Sequence, residues 1–202
     1  MFEAILFDFD GVLVDSEPVH YECWNRVLAP FGFQMTWEQY ARNCIGVSDR
    51  AMIEALCDLA GRPEWFDGIW AQYPAKKAWF RERIAAHVPM PQSTRDLLAE
   101  LQASYKLALV SSSGRHEVVP ALEAAGVYGA FSAIVTGEDV RNLKPSPEPY
   151  LTAAGRLGVR RALVVEDSEA GQASGRAAGF EVLAVSHADE TAPAVRRRLG
   201  LG

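Results

Sequence analysis

Two aspartates separated by one residue follow the first apolar run of the chain. The segment FEAILF, residues 2–7, leads directly into DFDGVLVD, residues 8–15. In an extended segment, side chains two positions apart point the same way, so Asp8 and Asp10 share a face while Phe9 turns toward packing. Two carboxylates about 4 Å apart repel by about 4 kcal/mol at an effective dielectric of about 20. The pair therefore calls for a proton, a cation or a chemical function, although an isolated Asp-x-Asp more often caps a helix or faces water.

Two further segments carry groups that bind anions. Ser111 follows KLALV, residues 106–110, where a strand gives way to the N-terminus of a helix that offers hydroxyl and N–H donors. Lys144 lies in NLKPSPEPY, where Pro145 and Pro147 stiffen the loop and the ammonium can meet a phosphate as a point charge. Taken singly, a serine-rich turn usually caps a helix and a lysine before proline is usually a surface residue.

A second acidic pair ends another apolar run. In VVEDSEAG, residues 164–171, Glu166 and Asp167 supply the hard oxygen ligands that Mg²⁺ prefers. Three glycines recur at four-residue spacing, a pattern that favours close helix packing over a ligand role: Gly171, Gly175 and Gly179. All four polar clusters fall at or just after predicted strand ends, and their conjunction is far rarer by chance than any one of them.

The elements that must position these clusters alternate along the chain. Apolar runs predict five strands, at residues 2–7, 106–110, 133–135, 162–165 and 182–185. Amphipathic patterns predict helices at 93–103, with Ser93 or Thr94 as the cap, and at 116–126 and 147–158, which end at Gly126 and Gly158. Strands alternating with helices predict an α/β fold with a parallel sheet covered on both faces.

Residues 15–87 have a different pattern. They contain all five tryptophans of the chain, show amphipathic patterns such as HYECWNRVLAPFG and RAMIEALCDLAG, and lack a convincing strand. The simplest organisation is a small helical domain at 15–87, inserted into a core formed by residues 1–14 and 88–202.

Bulk composition excludes several classes of partner. The net charge of −6 argues against nucleic acid and anionic membrane, and no apolar run approaches the ~20 residues that span a bilayer. The three cysteines lack the paired spacing of a zinc or redox site, so we expect reduced thiols and a cytoplasmic protein. The terminal RRRLGLG reads as a solvated tail, and a monomer is compatible with the sequence.

As a set, the four clusters resemble the motifs of the haloacid dehalogenase superfamily. The resemblance spans essentially the whole chain, including the helical segment between the first and second motifs, and it is closest to members with a helical cap, such as β-phosphoglucomutases and phosphoglycolate phosphatases. It implies a Rossmann-like core, a mobile cap and phosphoryl transfer with Mg²⁺. The second aspartate of the first motif, Asp10, distinguishes the phosphatase and phosphomutase branches from the metal-free dehalogenases.

The resemblance also implies roles for individual residues. Asp8 is the nucleophile, Asp10 the general acid and base, and Ser111 and Lys144 hold the transferring phosphoryl group. Mg²⁺ is held by the Asp8 carboxylate, the Asp10 backbone carbonyl and the side chains of two further residues, Glu166 and Asp167.

In the helical segment, His20, Lys76 and the loop IGVSDR (45–50) with Arg50 resemble substrate-binding positions of β-phosphoglucomutases and related sugar phosphatases. The mutase pattern has a lysine and an arginine where this chain has Ile45 and Asp49, which favours a hydrolase. The prediction is a phosphatase of a small phosphorylated metabolite, a sugar phosphate or a phosphoglycolate-like acid, with a phosphomutase as the alternative. A non-enzymatic phospho-receiver is a further alternative, disfavoured because receivers lack an insert of roughly seventy residues after the first strand.

Overall fold

The structure, a computed structural model, describes residues 1–45 and 47–201. The chain divides into two compact units. The core unit consists of Met1–Asp15 together with the chain from His87 onward, and the helical unit consists of Ser16–Ala86.

The core unit contains a five-stranded sheet in which every pairing is parallel. Its strands are β1 (Ala4–Phe7), β2 (Lys106–Val110), β3 (Ala133–Val135), β4 (Ala162–Glu166) and β5 (Glu181–Ala184). They lie in the order β3-β2-β1-β4-β5, with Ala4 of β1 opposite both Lys106 and Ala162. The predicted α/β fold with a Rossmann-like parallel sheet is confirmed.

The described residues form ten α-helices. Those of the helical unit are α1 (Glu17–Leu28), α2 (Trp37–Asn43), α3 (Asp49–Leu59), α4 (Phe66–Trp70) and α5 (Tyr73–Ala86). Those of the core unit are α6 (Gln92–Leu101), α7 (Arg115–Ala124), α8 (Glu148–Leu157), α9 (Glu169–Ala177) and α10 (Ala188–Leu199). None of the described helices combines the length and apolar character needed to cross a membrane.

Burial on both faces explains the continuous apolar runs of the central strands. Every residue of β1 and β4 is buried, as expected where helices cover both sides of a parallel sheet. On one face, Leu6, Val110 and Val164 pack against Tyr150 and Ala153 of α8. The hydrophobic core therefore fixes the positions of the strands that carry the polar clusters at their carboxyl ends.

Two sequence expectations about helix ends are wrong. The cap position of α6 is Pro91 rather than Ser93 or Thr94, because the extended backbone of Pro91 starts the helix earlier; the Thr94 hydroxyl instead donates to the Ala188 carbonyl. The three arginines of RRRLGLG lie in the last turn of α10, where Arg196 pairs with Glu100 and Arg198 with Glu181, so they are solvated but belong to a helix rather than a tail.

The helical unit has its own apolar core. Trp24, Ile53 and Ile69 are fully buried at its centre, with Tyr40 of α2 packed against the same cluster. Helix α2 begins with a capping box, in which Thr36 and Gln39 satisfy each other's backbone N–H groups. Among the described residues of this unit there is no strand, which agrees with the absence of a strand pattern in the sequence.

Close contact between α9 and the sheet depends on Gly175. A Cβ at this position would lie 2.8 Å from Cγ2 of Val182 and 3.1 Å from Cγ1 of Val164. In α8, by contrast, a Cβ at Gly155 would have no atom within 4 Å. The two helical glycines therefore differ in the space that surrounds them.

We expect opposite effects from the same substitution at these two glycines. Gly155→Ala should raise the free energy of unfolding by about 0.5–1 kcal/mol, because alanine favours the helix and meets no clash. Gly175→Ala should lower it by about 1 kcal/mol or more, because the strand contacts must shift. Urea denaturation of both variants measures the difference, and equal gains would contradict the close packing of α9.

Candidate functional site

Three strand ends in the core unit bring the predicted residues together. Asp8 directly follows β1, Ser111 directly follows β2, and Glu166 is the last residue of β4. Because β1 lies between β2 and β4, these residues meet at the carboxyl edge of the sheet, where open α/β folds bind ligands. Lys144 reaches the same edge from the loop before α8.

The Lys144 ammonium lies between two carboxylates. Its Nζ is 2.8 Å from Oδ1 of Asp8 and 2.6 Å from Oε1 of Glu166, and it donates to the Val110 carbonyl at 2.9 Å. The Lys144 side chain is only 6% exposed, and that of Glu166 is fully buried. The buried Lys144 ammonium thus connects the segment that contains Asp8 with the segment that contains Glu166.

Burial controls the pKa values of these groups. Burial raises the pKa of Asp8 to about 8, an effect that Lys144 opposes and the charge of Glu166 reinforces. Burial also raises the pKa of Asp167 to about 6, with a further contribution from Glu166. For Lys144, burial lowers the pKa, but the attraction of Asp8 and Glu166 outweighs it and places the pKa above its usual value. Without a further cation, Asp8 therefore retains a proton near neutral pH.

Both oxygens of Glu166 accept hydrogen bonds. In addition to Lys144, the Tyr150 hydroxyl donates to Oε1 at 2.7 Å. Ser168 donates to Oε2 from its backbone N–H at 3.2 Å and from its hydroxyl at 3.1 Å. The Ser168 hydroxyl also accepts from the Gly171 N–H and so caps α9. The start of α9 and the orientation of the carboxylate are therefore fixed together.

Two glycines leave room for the carboxylates. Gly11 has φ +73°, and a Cβ there would lie 2.1 Å from Oδ2 of Asp167. A Cβ at Gly171 would lie 1.8 Å from Oε1 of Glu166. The expectation that Gly171 serves helix packing is therefore wrong: packing against strands explains Gly175, whereas Gly171 accommodates a site carboxylate.

The residues present fit a divalent cation. Asp8, Glu166 and Asp167 each offer one carboxylate oxygen, and these oxygens all lie within 4.8 Å of one another. Hard oxygen ligands of this kind suit Mg²⁺, and a bound divalent charge would counteract the burial and the carboxylate repulsion that raise the pKa of Asp8 and Asp167.

The serine turn after β2 contacts the second aspartate of the first motif. The Ser113 hydroxyl donates to Oδ2 of Asp10 at 3.2 Å, and the Ser113 N–H donates to the buried Ser111 hydroxyl at 3.0 Å. The Asp10 side chain is half-buried and approaches Ser113, whereas Asp8, two residues earlier, approaches Lys144.

In the helical unit, His20 and Lys76 lie together. The Nζ of Lys76 is 2.8 Å from Nδ1 of His20 and 3.5 Å from Oδ2 of Asp49, and Asp49 also accepts from the Trp24 indole at 2.9 Å. Burial and the Lys76 charge lower the pKa of His20 to about 3, so this imidazole is neutral at pH 7.

Arg50 contacts a different set of residues. It pairs with Glu54 on α3 at 3.1 Å and its guanidinium lies 4.9 Å from the centre of the Phe66 ring. Among the described contacts, Asp49 rather than Arg50 is therefore the neighbour of Lys76. Gly46 of the predicted loop IGVSDR lies outside the described residues.

Comparison with known proteins identifies the family. Residues 5–185 match the sequence profile of the haloacid dehalogenase-like hydrolases. The chain belongs to this family. This match confirms the family resemblance inferred from the motifs. The prediction of an enzyme is also confirmed, because the family is one of hydrolases and several relatives of this chain are named phosphatases, which is consistent with a phosphoric monoester hydrolase.

Individual relatives of this hydrolase span most of its length. A "Phosphorylated carbohydrates phosphatase" of Thermotoga maritima is 31% identical over 89% of this chain and 82% of its own. The fructose-1-phosphate phosphatase YqaB of Escherichia coli is 27% identical over 91% of this chain and 96% of its own. A solved structure from Thermotoga maritima, described provisionally as a β-phosphoglucomutase, is 28% identical with a TM-score of 0.75, covering 92% of this chain and 86% of that one.

Four residues that contact the predicted site residues Lys76, Asp10 or Glu166 were not assigned such a role from the sequence: Asp49, Ser113, Tyr150 and Ser168. Ser168 had a usable signal, since a serine before a helix that starts with Glu169 is a typical N-cap. Tyr150 had none, because its position in α8 fits an ordinary core residue. Only the packing of α8 on the sheet brings its hydroxyl to Glu166.

The raised pKa values predict how stability depends on pH. The folded-state pKa of Asp8 (about 8) and of Asp167 (about 6) exceed the value of about 4 in an unfolded chain. Between about pH 4 and pH 8 the folded protein therefore binds more protons than the unfolded chain, and these groups make stability fall as pH rises. In EDTA, the Tm of the wild type should fall more steeply from about pH 5 to about pH 8 than that of Asp8→Asn. Parallel Tm profiles would contradict a raised pKa of Asp8.

Proposed function

We propose that this hydrolase is a Mg²⁺-dependent phosphatase that acts on a small phosphorylated metabolite through an aspartyl-phosphate intermediate on Asp8. The observation that carries the proposal is the contact of the buried Lys144 ammonium with Asp8 at 2.8 Å, beside the carboxylates of Glu166 and Asp167. The names of its relatives include phosphatases of phosphorylated carbohydrates and of phosphoglycolate, so the proposed substrate is a sugar phosphate or a phosphoglycolate-like acid.

Positive charge is the first requirement of the reaction. A carboxylate nucleophile and a phosphate dianion repel each other, and uncatalysed phosphate monoester hydrolysis is among the slowest reactions in water. Lys144 offsets part of this repulsion directly at Asp8. The side chains of Asp8, Glu166 and Asp167 and the backbone carbonyl of Asp10 would hold Mg²⁺, which supplies the remaining positive charge beside the transferring group.

Attack by Asp8 forms a bond between its carboxylate oxygen and phosphorus while the bond from phosphorus to the leaving oxygen breaks. Asp10, in its protonated form, gives its proton to the departing alkoxide. The resulting Asp10 carboxylate then takes a proton from the water that attacks phosphorus, so that inorganic phosphate leaves and Asp8 is regenerated. Ser111 and Lys144 orient the phosphoryl group by hydrogen bonding to its oxygens.

We also propose a division of roles between the two parts of the chain. Residues 1–14 and 88–202 form the catalytic core, and residues 15–87 act as a cap that selects the substrate and excludes water. His20 and Lys76 are the proposed selecting residues of the cap. A role for Arg50 has less support, since its contacts are with Glu54 and Phe66. The reaction and the reduced cysteines suit a cytoplasmic enzyme.

A sugar phosphomutase is the second candidate. It is favoured by the likeness to the Thermotoga maritima structure described provisionally as a β-phosphoglucomutase. A mutase must retain a bisphosphate intermediate, which requires cations for the second phosphate. This chain has Ile45 and Asp49 at the two positions that carry cations in the mutase pattern, and Asp49 lies beside Lys76. A hydrolase therefore fits better than a mutase.

Replacing the nucleophile tests the central step. Asp8→Asn should reduce the steady release of phosphate from p-nitrophenyl phosphate with Mg²⁺ by roughly four orders of magnitude or more, because the amide cannot form the acyl phosphate. Asp96→Asn, an exposed aspartate on α6, is the matched control and should retain activity. A wild type that releases at most one equivalent of p-nitrophenol would instead indicate a phospho-receiver.

The acid role of Asp10 predicts a dependence on the leaving group. Asp10→Asn should slow hydrolysis of alkyl phosphates by about 10²–10⁴-fold, because an alkoxide leaves poorly without a proton. The kcat/KM for p-nitrophenyl phosphate, which reports formation of the aspartyl-phosphate, should fall much less, since p-nitrophenolate leaves without a proton. Comparison of kcat/KM for the two esters measures the effect, and an equal loss for both would count against proton donation by Asp10.

A substrate screen separates the phosphatase from the mutase. Sugar monophosphates and phosphoglycolate should release inorganic phosphate with Mg²⁺, whereas a mutase would convert β-glucose 1-phosphate to its 6-phosphate only in the presence of the bisphosphate activator. Isomerisation without net phosphate release would favour the second candidate.

A further inference from the structure

Tyr150 is a core residue whose hydroxyl reaches the candidate site. Its side chain is fully buried among the residues that α8 packs against the sheet, and its hydroxyl donates to Oε1 of Glu166 at 2.7 Å. A buried phenol is favourable in a core only where its hydroxyl finds a partner. Here that partner is one of the three carboxylates of the acidic cluster rather than a backbone carbonyl of the core.

The same side chain also supports the neighbouring cation. The Lys144 Nζ lies 5.2 Å from the centre of the Tyr150 ring, within the range of a cation–π contact. Lys144 and Tyr150 donate to the same oxygen, Oε1 of Glu166, while Ser168 donates to Oε2. One residue of α8 therefore touches both the ammonium and the carboxylate that lies against it.

We propose that Tyr150 is a positioning residue of the cation site, whose hydroxyl orients the Glu166 carboxylate so that it lies within reach of Asp8 and Asp167. This inference rests on the proposed function, in which these three carboxylates hold Mg²⁺. Hydrogen-bond partners of metal-binding carboxylates restrict ligand orientation, and their removal typically weakens metal binding by about 10–100-fold. Tyr150 would then determine cation affinity without contacting the substrate.

Tyr150→Phe tests the proposal because it removes the hydroxyl and keeps the ring. We expect the dissociation constant for Mg²⁺, measured by calorimetry in the absence of substrate, to rise about tenfold or more. The Mg²⁺ concentration for half-maximal activity should rise in parallel. Tyr40→Phe is the matched control, since Tyr40 is also buried and its hydroxyl also donates to a glutamate, Glu17, at 2.8 Å. The control should lose comparable stability and bind Mg²⁺ as the wild type does.

A double-mutant cycle with Glu166→Gln separates a positioning role from a purely structural one. If Tyr150 acts through Glu166, adding Tyr150→Phe to Glu166→Gln should change Mg²⁺ affinity by no more than about twofold. Independent, additive losses would overturn the proposal, and so would an unchanged Mg²⁺ affinity in Tyr150→Phe. A Tyr150→Phe variant that does not fold while Tyr40→Phe folds would also overturn it, by assigning the hydroxyl to global stability.

The measurement keeps this inference distinct from the proposed function. If the wild type and Tyr150→Phe bind Mg²⁺ with equal affinity, the proposed role of Tyr150 is wrong, whereas the proposed phosphatase activity is not affected. Wild-type protein that binds no Mg²⁺ contradicts the metal dependence of the phosphatase as well as the role of Tyr150. Binding of Mg²⁺ without turnover of any phosphate ester contradicts the proposed reaction alone.

Discussion

The site depends on one buried ion cluster, in which a single ammonium lies between two carboxylates and a third carboxylate lies close by. Lys144 contacts Asp8 and Glu166 directly, and Asp167 lies within the same acidic group. Removing such charges from water is costly, and their mutual attraction repays the cost only where geometry and hydrogen bonding are good. The carboxylates outnumber the ammonium, so the cluster is incomplete without protons or a further cation. Burial and this imbalance together raise the pKa of Asp8, and the imbalance is what the proposed Mg²⁺ would offset.

Space is the second constraint on this cluster. The carboxylates of Asp167 and Glu166 occupy the volumes that Cβ atoms at Gly11 and Gly171 would fill. The hydrogen bonds on Glu166 then come from residues that also serve the fold: Tyr150 belongs to the core, and Ser168 caps α9. Tyr150 and Ser168 therefore each have two roles in the core unit, one in core packing or helix capping and one in orienting the Glu166 carboxylate.

The helical unit also contains a buried ammonium, that of Lys76, but its surroundings differ from those of Lys144. Lys76 is almost completely buried, yet His20 and Asp49 approach its ammonium and aromatic rings of Trp24 and Phe80 surround it. His20 also stacks on Phe80, with ring centres 4.1 Å apart. The positive charge of Lys76 is thus balanced within the unit by Asp49, while the imidazole stays neutral because of burial. This balance weakens the case for a second phosphate site of the kind a mutase needs.

The order of the elements and the residue types at the strand ends follow from the amino-acid sequence without any knowledge of the fold. Five apolar runs predicted five strands, and β2 and β3 match the predicted ranges residue for residue, because an apolar run that ends in polar residues marks a doubly covered strand. The family motifs predicted that Asp8, Lys144 and Glu166 belong to one site, since their chemical types and spacing carry the signal, and the three side chains are in contact.

Which side chains are in contact becomes apparent only in the folded protein. The pairing of Lys144 with both Asp8 and Glu166, the hydroxyl of Tyr150 on Glu166 and the preference of Lys76 for Asp49 over Arg50 join residues far apart in the chain. Local pattern does not encode such contacts, because they depend on strand order and on how each helix packs. Burial, which sets the pKa of Asp8 and His20, likewise arises only when the complete core is assembled.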